Sequence, residues 1–258
     1  MLEAVTSEGN PDFVLSLARG LSVIEAFQTR TEGATVGDIA ARTGLSRAAV
    51  RRLLITLELL GYASHNGSVY RLTSRVLGLG FSFLSSNSLS TLAAPILEEI
   101  AAALDESSSL SILEGDEIVY VARSATRRVM SVGLSIGSRL PAYCTSMGRV
   151  LLAGLPPQEL AAYLKRVQLK PLTPNTISSK RALTVELNRV REQGYALVDQ
   201  ELELGLRSLA VPVRTRAGKV VAAMNTGVHA ARVRPYDLRK RFLPILREGA
   251  ARLAIALG

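Results

Sequence analysis

Residues Thr43–Tyr62 read TGLSRAAVRRLLITLELLGY, and this stretch decides the fold of the first third of the chain. Ser46 carries a short hydroxyl side chain suited to capping the first turn of a helix. The helix is predicted to run to about Leu60. Gly61 stops it, because glycine takes the left-handed conformation without a steric penalty. On a helical period Val50, Leu53, Leu54, Leu57 and Leu60 share one face. Ala48, Arg51, Arg52 and Ile55 fall on the opposite side, and Arg47 flanks them in the first turn. One face therefore packs while the other offers guanidinium groups around a small residue. An arginine fork matches guanine O6 and N7, and alanine permits close approach to base edges. The plain alternative is a three-helix bundle with solvated arginines.

The flanking sequence argues for the sharper reading. Upstream, Thr35 and Asp38 form a capping pattern, with Val36, Ile39 and Ala40 as the buried face of a short helix. Gly44 ends that helix and Leu45 plugs the turn. Two short helices joined by a tight glycine turn are the mark of a helix-turn-helix. Further upstream, FVLSLARGLSVIEAF (13–27) is apolar at 14, 17, 18, 21, 24 and 27, which predicts another helix with one buried stripe. Downstream, Asn66-Gly67 between short β-prone runs signals a hairpin, which in this position is a wing. Arg71 and Arg75 follow it, placed to hold phosphates, which fix position without reading sequence. The expected DNA-contact set is Ser46, Arg47, Ala48, Arg51, Arg52, Arg71 and Arg75.

The chain has 258 residues, of which 48% are hydrophobic and 5% aromatic, with no Trp. That is ample for two domains with aliphatic cores. The opening MLEAVTSEGNPD is polar and acidic, unlike a secretory leader. No apolar run approaches the ~18–20 residues that span a bilayer. A single Cys144 and two histidines exclude an internal disulfide and give a poor metal-ligand count. The expectation is a soluble cytoplasmic protein with no metal, cofactor or membrane partner. The net charge is +9, yet residues 1–87 hold 8 Lys/Arg against 7 Asp/Glu. Global charge is thus weak evidence for nucleic acid. Local charge is better: between Arg42 and Arg75 six arginines face one acid, Glu58.

Leu77–Leu84 is apolar and then turns polar, which predicts a linking helix ending near Asn87. Beyond it come a helix over 92–104 and a hairpin of 110–114 and 118–123 turning at Gly115-Asp116. A strand is expected over Val129–Leu134, then helices near 146–155, 157–166 and 180–193. Strands over 208–214 and 219–226 follow, with a last helix from about Pro235. Tight turns between strands mean antiparallel pairing. The expected class is α+β: a winged helix-turn-helix (1–73), a linker helix (74–88) and an effector-binding domain (89–258) with an antiparallel sheet flanked by helices.

Several long, order-preserving strings carry a family resemblance: FVLSLARGLSVIEAF (13–27), TGLSRAAVRRLLITLELLGY (43–62), RVLGLGFSFLSS (75–86), IVYVAR (118–123) and RLPAYCTSMGRVLLA (139–153). Nearly the whole chain resembles the IclR-type transcriptional regulators, and within them the branch that controls the β-ketoadipate pathway for protocatechuate and 4-hydroxybenzoate. The resemblance implies a six-stranded antiparallel sensor sheet, a double-stranded operator as partner, homodimers through the DNA domain and in some members tetramers. It also implies a small carboxylic acid effector, in a pocket walled by Val129, Leu140, Ser146, Met147, Ser208, Asn225 and Gly227, with Asp199 and Glu201 in an acidic segment beside it. Ser208 stands where the family often has Cys, and Asn225 where Ser recurs. Chemistry is consistent with that pocket: Ser146 begins a helix, whose free N–H groups favour an anion. Arg139 and Arg149 are expected to neutralise it.

Two alternatives come from other classes. Gly133-Leu-Ser135-Ile-Gly137 matches GxSxG, with Asp199 and His229 in hydrolase order. However, Ser138-Arg-Leu-Pro141 cannot promptly start the helix that this motif requires, so no enzymatic activity is expected. A ligand-independent DNA-binding protein would leave residues 88–258 without a task.

Overall fold

The computed structural model describes residues 12–27, 33–86, 88–125 and 134–257. The strand expected at Val129–Leu134 falls almost wholly outside them, as do Val129 and Gly133. The chain forms two compact units, Met1–Phe83 and Leu84–Gly258.

The first unit is built from α1 (Leu15–Glu25), β1 (Ala34–Thr35), α2 (Val36–Thr43), α3 (Arg47–Leu59), β2 (Ala63–Asn66), β3 (Val69–Leu72) and most of α4 (Arg75–Ser86). Thr35 and Asp38 complete a reciprocal capping box on α2, and Gly44 ends the helix with φ of 72°. Ser46 Oγ accepts from Ala49 N at the start of α3. The core joins Val23, Phe27, Ile39, Val50, Leu54, Leu57 and Tyr70. β2 and β3 pair antiparallel, and β1 adds to the far side of β3. Because Asn66 pairs with Val69, the two-residue loop is Gly67–Ser68, one position later than the sequence pattern suggested.

Two apolar expectations fail in this unit. The stripe on α1 packs inward only at its C-terminal end, through Ile24 and Phe27: Val14, Leu17 and Leu21 are 59%, 62% and 50% exposed, and Leu60, expected on the inner face of α3, is 53% exposed. The helical period is correct, but the small core takes Val23 and Phe27 from this region, with Ile24 and Ala26 packed against them. On α4, Leu77 and Leu79 are exposed, while the side chains from 81 to 88 lie outside the description.

The second unit is α+β. Its six-stranded antiparallel sheet runs β6-β5-β4-β9-β8-β7, with β4 (Ser108–Glu114), β5 (Glu117–Ser124), β6 (Arg139–Pro141), β7 (Ala196–Asp199), β8 (Leu206–Arg214) and β9 (Val220–His229). β6 and β7 are short edge strands without a clear alternating pattern, and sequence reading did not place them. Alternation along β8 sends Leu209, Val211 and Val213 to one face. There they meet α5 (Ser88–Leu104) and α10 (Leu243–Ala256), which follows a first turn α9 (Pro235–Asp237) and a wide turn at Leu238–Phe242. The other face, with Ala196, Ala210 and Ala223, packs under α6 (Ser146–Ala153) and α8 (Lys180–Gln193), with α7 (Pro157–Arg166) in the same cluster. Small sheet residues let α6 sit close. Gly148 is required there, since a Cβ would lie 2.1 Å from the Ala142 carbonyl oxygen.

Candidate functional site

The first unit presents a basic helix face. Ser46, Arg47, Ala48, Arg51, Arg52 and Ile55 are all exposed, opposite the buried Val50, Leu54 and Leu57. Glu58, the one acid in this stretch, meets His65 Nδ1 at 2.7 Å and so ties α3 to the wing. Arg71 is exposed on β3. The Arg75 guanidinium stacks 5.2 Å from the centre of the Tyr62 ring. This places a cation beside the wing, with its N–H groups paired to no carboxylate among the described residues. The proposed contact set is thus spread over the outward-facing side of α3, the adjoining hairpin and the first residue of α4.

The second unit contains a cavity between the sheet and the N-terminal end of α6. Its free volume is about 60 Å³. Leu140, Ser146, Met147, Ser208, Asn225 and Gly227 line it, so the structure brings together every wall residue expected from the sequence that lies within the described set. The site grows from local rules. Thr145 caps α6 by accepting from Gly148 N, leaving Ser146 as the first helical residue with its Oγ sealed from solvent. Cys144 also lines the cavity; burial pushes its thiol up to about 12, so it is a neutral wall group rather than a nucleophile.

The charged residues fall elsewhere than expected. Arg139 reaches away to Glu117 at 2.8 Å and Glu114 at 2.9 Å. Arg149 is 1% exposed and is held by Glu201 at 2.5 Å and the Tyr143 carbonyl at 3.0 Å. Neither lines the cavity. Asp199 is engaged by Arg207 at 2.8 Å and does not line it either. Glu201 acts behind the wall: its carboxylate also accepts from Ile177 N at 3.0 Å, fixing the segment that carries Leu202 into the cavity.

The cation that does line the cavity is Arg123, which sequence reading passed over. Its Nη1 donates to Ser109 Oγ at 3.2 Å. Strict alternation along β5 would set Arg123 on the face opposite Tyr120. The ladder instead slips between Leu110 and Ser111, pairing Leu110 with Ala122 but Ser111 with Tyr120. Val121 is thereby an extra residue, a β-bulge, and Tyr120 and Arg123 both reach the cavity.

The hydrolase alternative is not assembled. Ser135 Oγ, the would-be nucleophile, lies 3.4 Å from Ser138 Oγ rather than against His229, and the segment leads into β6, not a helix. His229 Nδ1 accepts from Ala231 N at 3.3 Å, and Asp199 belongs to Arg207. Among the described residues no group of three or more His, Cys, Asp or Glu is placed to hold a metal. No helix among them is long and apolar enough to cross a membrane.

Both units match known families. Residues 16–67 match the IclR helix-turn-helix domain, and residues 81–255 match the C-terminal domain of bacterial IclR transcriptional regulators. The chain belongs to the IclR family. It is a transcriptional regulator of that family by both its parts. It is 51% identical to the Pca regulon regulatory protein of Pseudomonas putida, over 92% of this chain and 82% of that one. A transcriptional regulator from Rhodococcus sp. RHA1 superposes with a TM-score of 0.84 at 49% identity, covering 94% of this chain and 97% of that chain. An IclR homologue from Microbacterium hydrocarbonoxydans, solved in complex with 4-hydroxybenzoate, superposes with a TM-score of 0.79 at 25% identity, covering 93% and 98%.

Proposed function

We propose that this IclR-family regulator is a cytoplasmic homodimer that controls aromatic-acid catabolism and takes protocatechuate, 4-hydroxybenzoate or β-ketoadipate as effector. The observation that carries the effector reading is the cavity under α6, with an arginine and several hydroxyl and amide groups among apolar walls. Similarity to a pca regulator and to a homologue bound to 4-hydroxybenzoate supports an aromatic acid. In the first unit, α3 enters a major groove, with Arg47, Arg51 and Arg52 toward base edges and Arg71 and Arg75 toward phosphates. A second copy covers the apolar groove between α1 and α3, lined by Leu15, Leu17, Leu21 and Leu60. The effector shifts operator affinity only to the extent that it binds one arrangement of the dimer more tightly.

A thermal-shift series on the full chain with the three acids tests the effector. Mass action requires a rise in unfolding temperature with ligand concentration. No rise with any of them removes the pathway assignment and leaves the DNA-binding reading in place. Sedimentation equilibrium of Leu17→Glu with Leu21→Glu tests the dimer, which should dissociate toward monomer.

A further inference from the structure

The cavity has a polar side and two unmet groups. Strand register puts Arg123, Ser109 and Asn225 on one rung of three adjacent strands: Ser109 pairs with Arg123 on β5 and with Asn225 on β9. Directly opposed residues share a face, so this rung is a single polar strip along the cavity. The neighbouring rung holds Ser208 opposite Gly227, where the missing side chain leaves room. Arg123 is the one charged residue lining the cavity among the described residues, and no carboxylate among them pairs with it. Ser109 holds Nη1. The Nε hydrogen is buried with no partner among the described residues. Nε and Nη2 form the side-on edge of the guanidinium fork, the geometry that accepts both oxygens of a carboxylate. Ser146 Oγ, on a residue 1% exposed, is also buried with no partner among the described residues. A buried donor or acceptor left unmet is costly, and two such groups lining one cavity indicate a ligand that meets both.

We propose that Arg123 is the carboxylate-recognising residue of this cavity and that Ser146 Oγ meets a hydroxyl of the same ligand. The effector is then a hydroxyl-bearing acid, held carboxylate-first against the Arg123–Ser109–Asn225 strip. This rests on the reading of the cavity as the effector site.

Isothermal titration calorimetry on the full chain with 4-hydroxybenzoate, its neutral isostere 4-hydroxybenzamide and benzoate tests it. Wild type should prefer the acid over the amide by about 10- to 100-fold, the range of a charge-assisted hydrogen bond. Arg123→Gln should compress that preference to about threefold or less, the residue of neutral hydrogen bonding. Ser146→Ala should keep the acid–amide preference but lose about fivefold of the preference for 4-hydroxybenzoate over benzoate. Ser109→Ala, a milder change that frees Nη1, should weaken the acid and leave the amide unchanged. The proposal fails if wild type binds acid and amide alike, or if Arg123→Gln with an unchanged unfolding temperature keeps the full preference. In those cases the effector reading survives, since the acid still binds. If wild type binds none of the three, this recognition scheme falls, and 4-hydroxybenzoate is removed as the effector.

Discussion

Replacing Arg149 by Met separates a structural cation from a ligand-binding one. Arg149 is 1% exposed; Nε donates to the Tyr143 carbonyl at 3.0 Å and Nη2 to Glu201 Oε2 at 2.5 Å, while Glu186 stands 3.9 Å from Nη1. Met keeps most of the aliphatic bulk and removes the charge. Glu186 retains Arg189 at 2.8 Å. Glu201, 8% exposed, keeps the Ile177 amide but no cation, so a carboxylate is left buried and uncompensated. Breaking a buried pair from one side costs about 3–5 kcal/mol. In a unit the size of Leu84–Gly258 each kcal/mol moves the midpoint by about 2–4 °C, so the unfolding temperature should fall by about 6–20 °C. Differential scanning calorimetry of the full chain reads this directly. The double variant Arg149→Met with Glu201→Met removes both charges and should recover most of the loss. A fall of less than about 3 °C, or a double variant no better than the single one, would refute the claim that this pair fixes the segment behind the cavity.

Arg51→Ala or Arg52→Ala should weaken operator binding by about 1–3 kcal/mol and relax base preference, whereas Arg71→Ala or Arg75→Ala should weaken all sequences alike and lower the salt slope by about one. Fluorescence anisotropy across a salt series distinguishes the two, and unchanged affinity for both α3 variants defeats the proposed face. Gly148→Ala should destabilise by about 1–3 kcal/mol in urea unfolding, because its methyl meets backbone. Gly78→Ala, whose methyl meets nothing within 4 Å, is the control. Burial raises the Cys144 thiol to about 12, so the folded chain holds this proton more tightly than the unfolded chain. Its contribution to stability is present below about pH 8.5, the ordinary thiol value, and is lost as pH rises from there toward 12. Native Cys144 should resist thiol reagents at pH 8 until denaturant is added; rapid native labelling contradicts this.

Much of the chain was legible without coordinates. Local chemistry sufficed for the capping box of Thr35 and Asp38, the left-handed Gly44, the Ser46 cap and the basic side of α3, because each depends on neighbours within a turn or two of helix. The wing and the β4–β5 hairpin announced themselves through glycine turns and alternation. The wall residues Ser146, Ser208 and Asn225 were named only through resemblance to a family, since nothing local brings 146, 208 and 225 together.

Tertiary structure decided the rest. Period alone put Val14, Leu17 and Leu21 on an apolar stripe, but could not say whether that stripe meets its own core or is left open. The family resemblance implied a pocket at which Arg149 was expected to neutralise an anion, while its partner Glu201 lies 52 residues away and turns it inward. Arg123 is the clearest case. In a regular strand its side chain points away from Tyr120, and one extra residue at Val121 reverses that. A bulge is a property of two strands and their register, so no reading of β5 by itself could have placed the cavity's one charged side chain among the described residues.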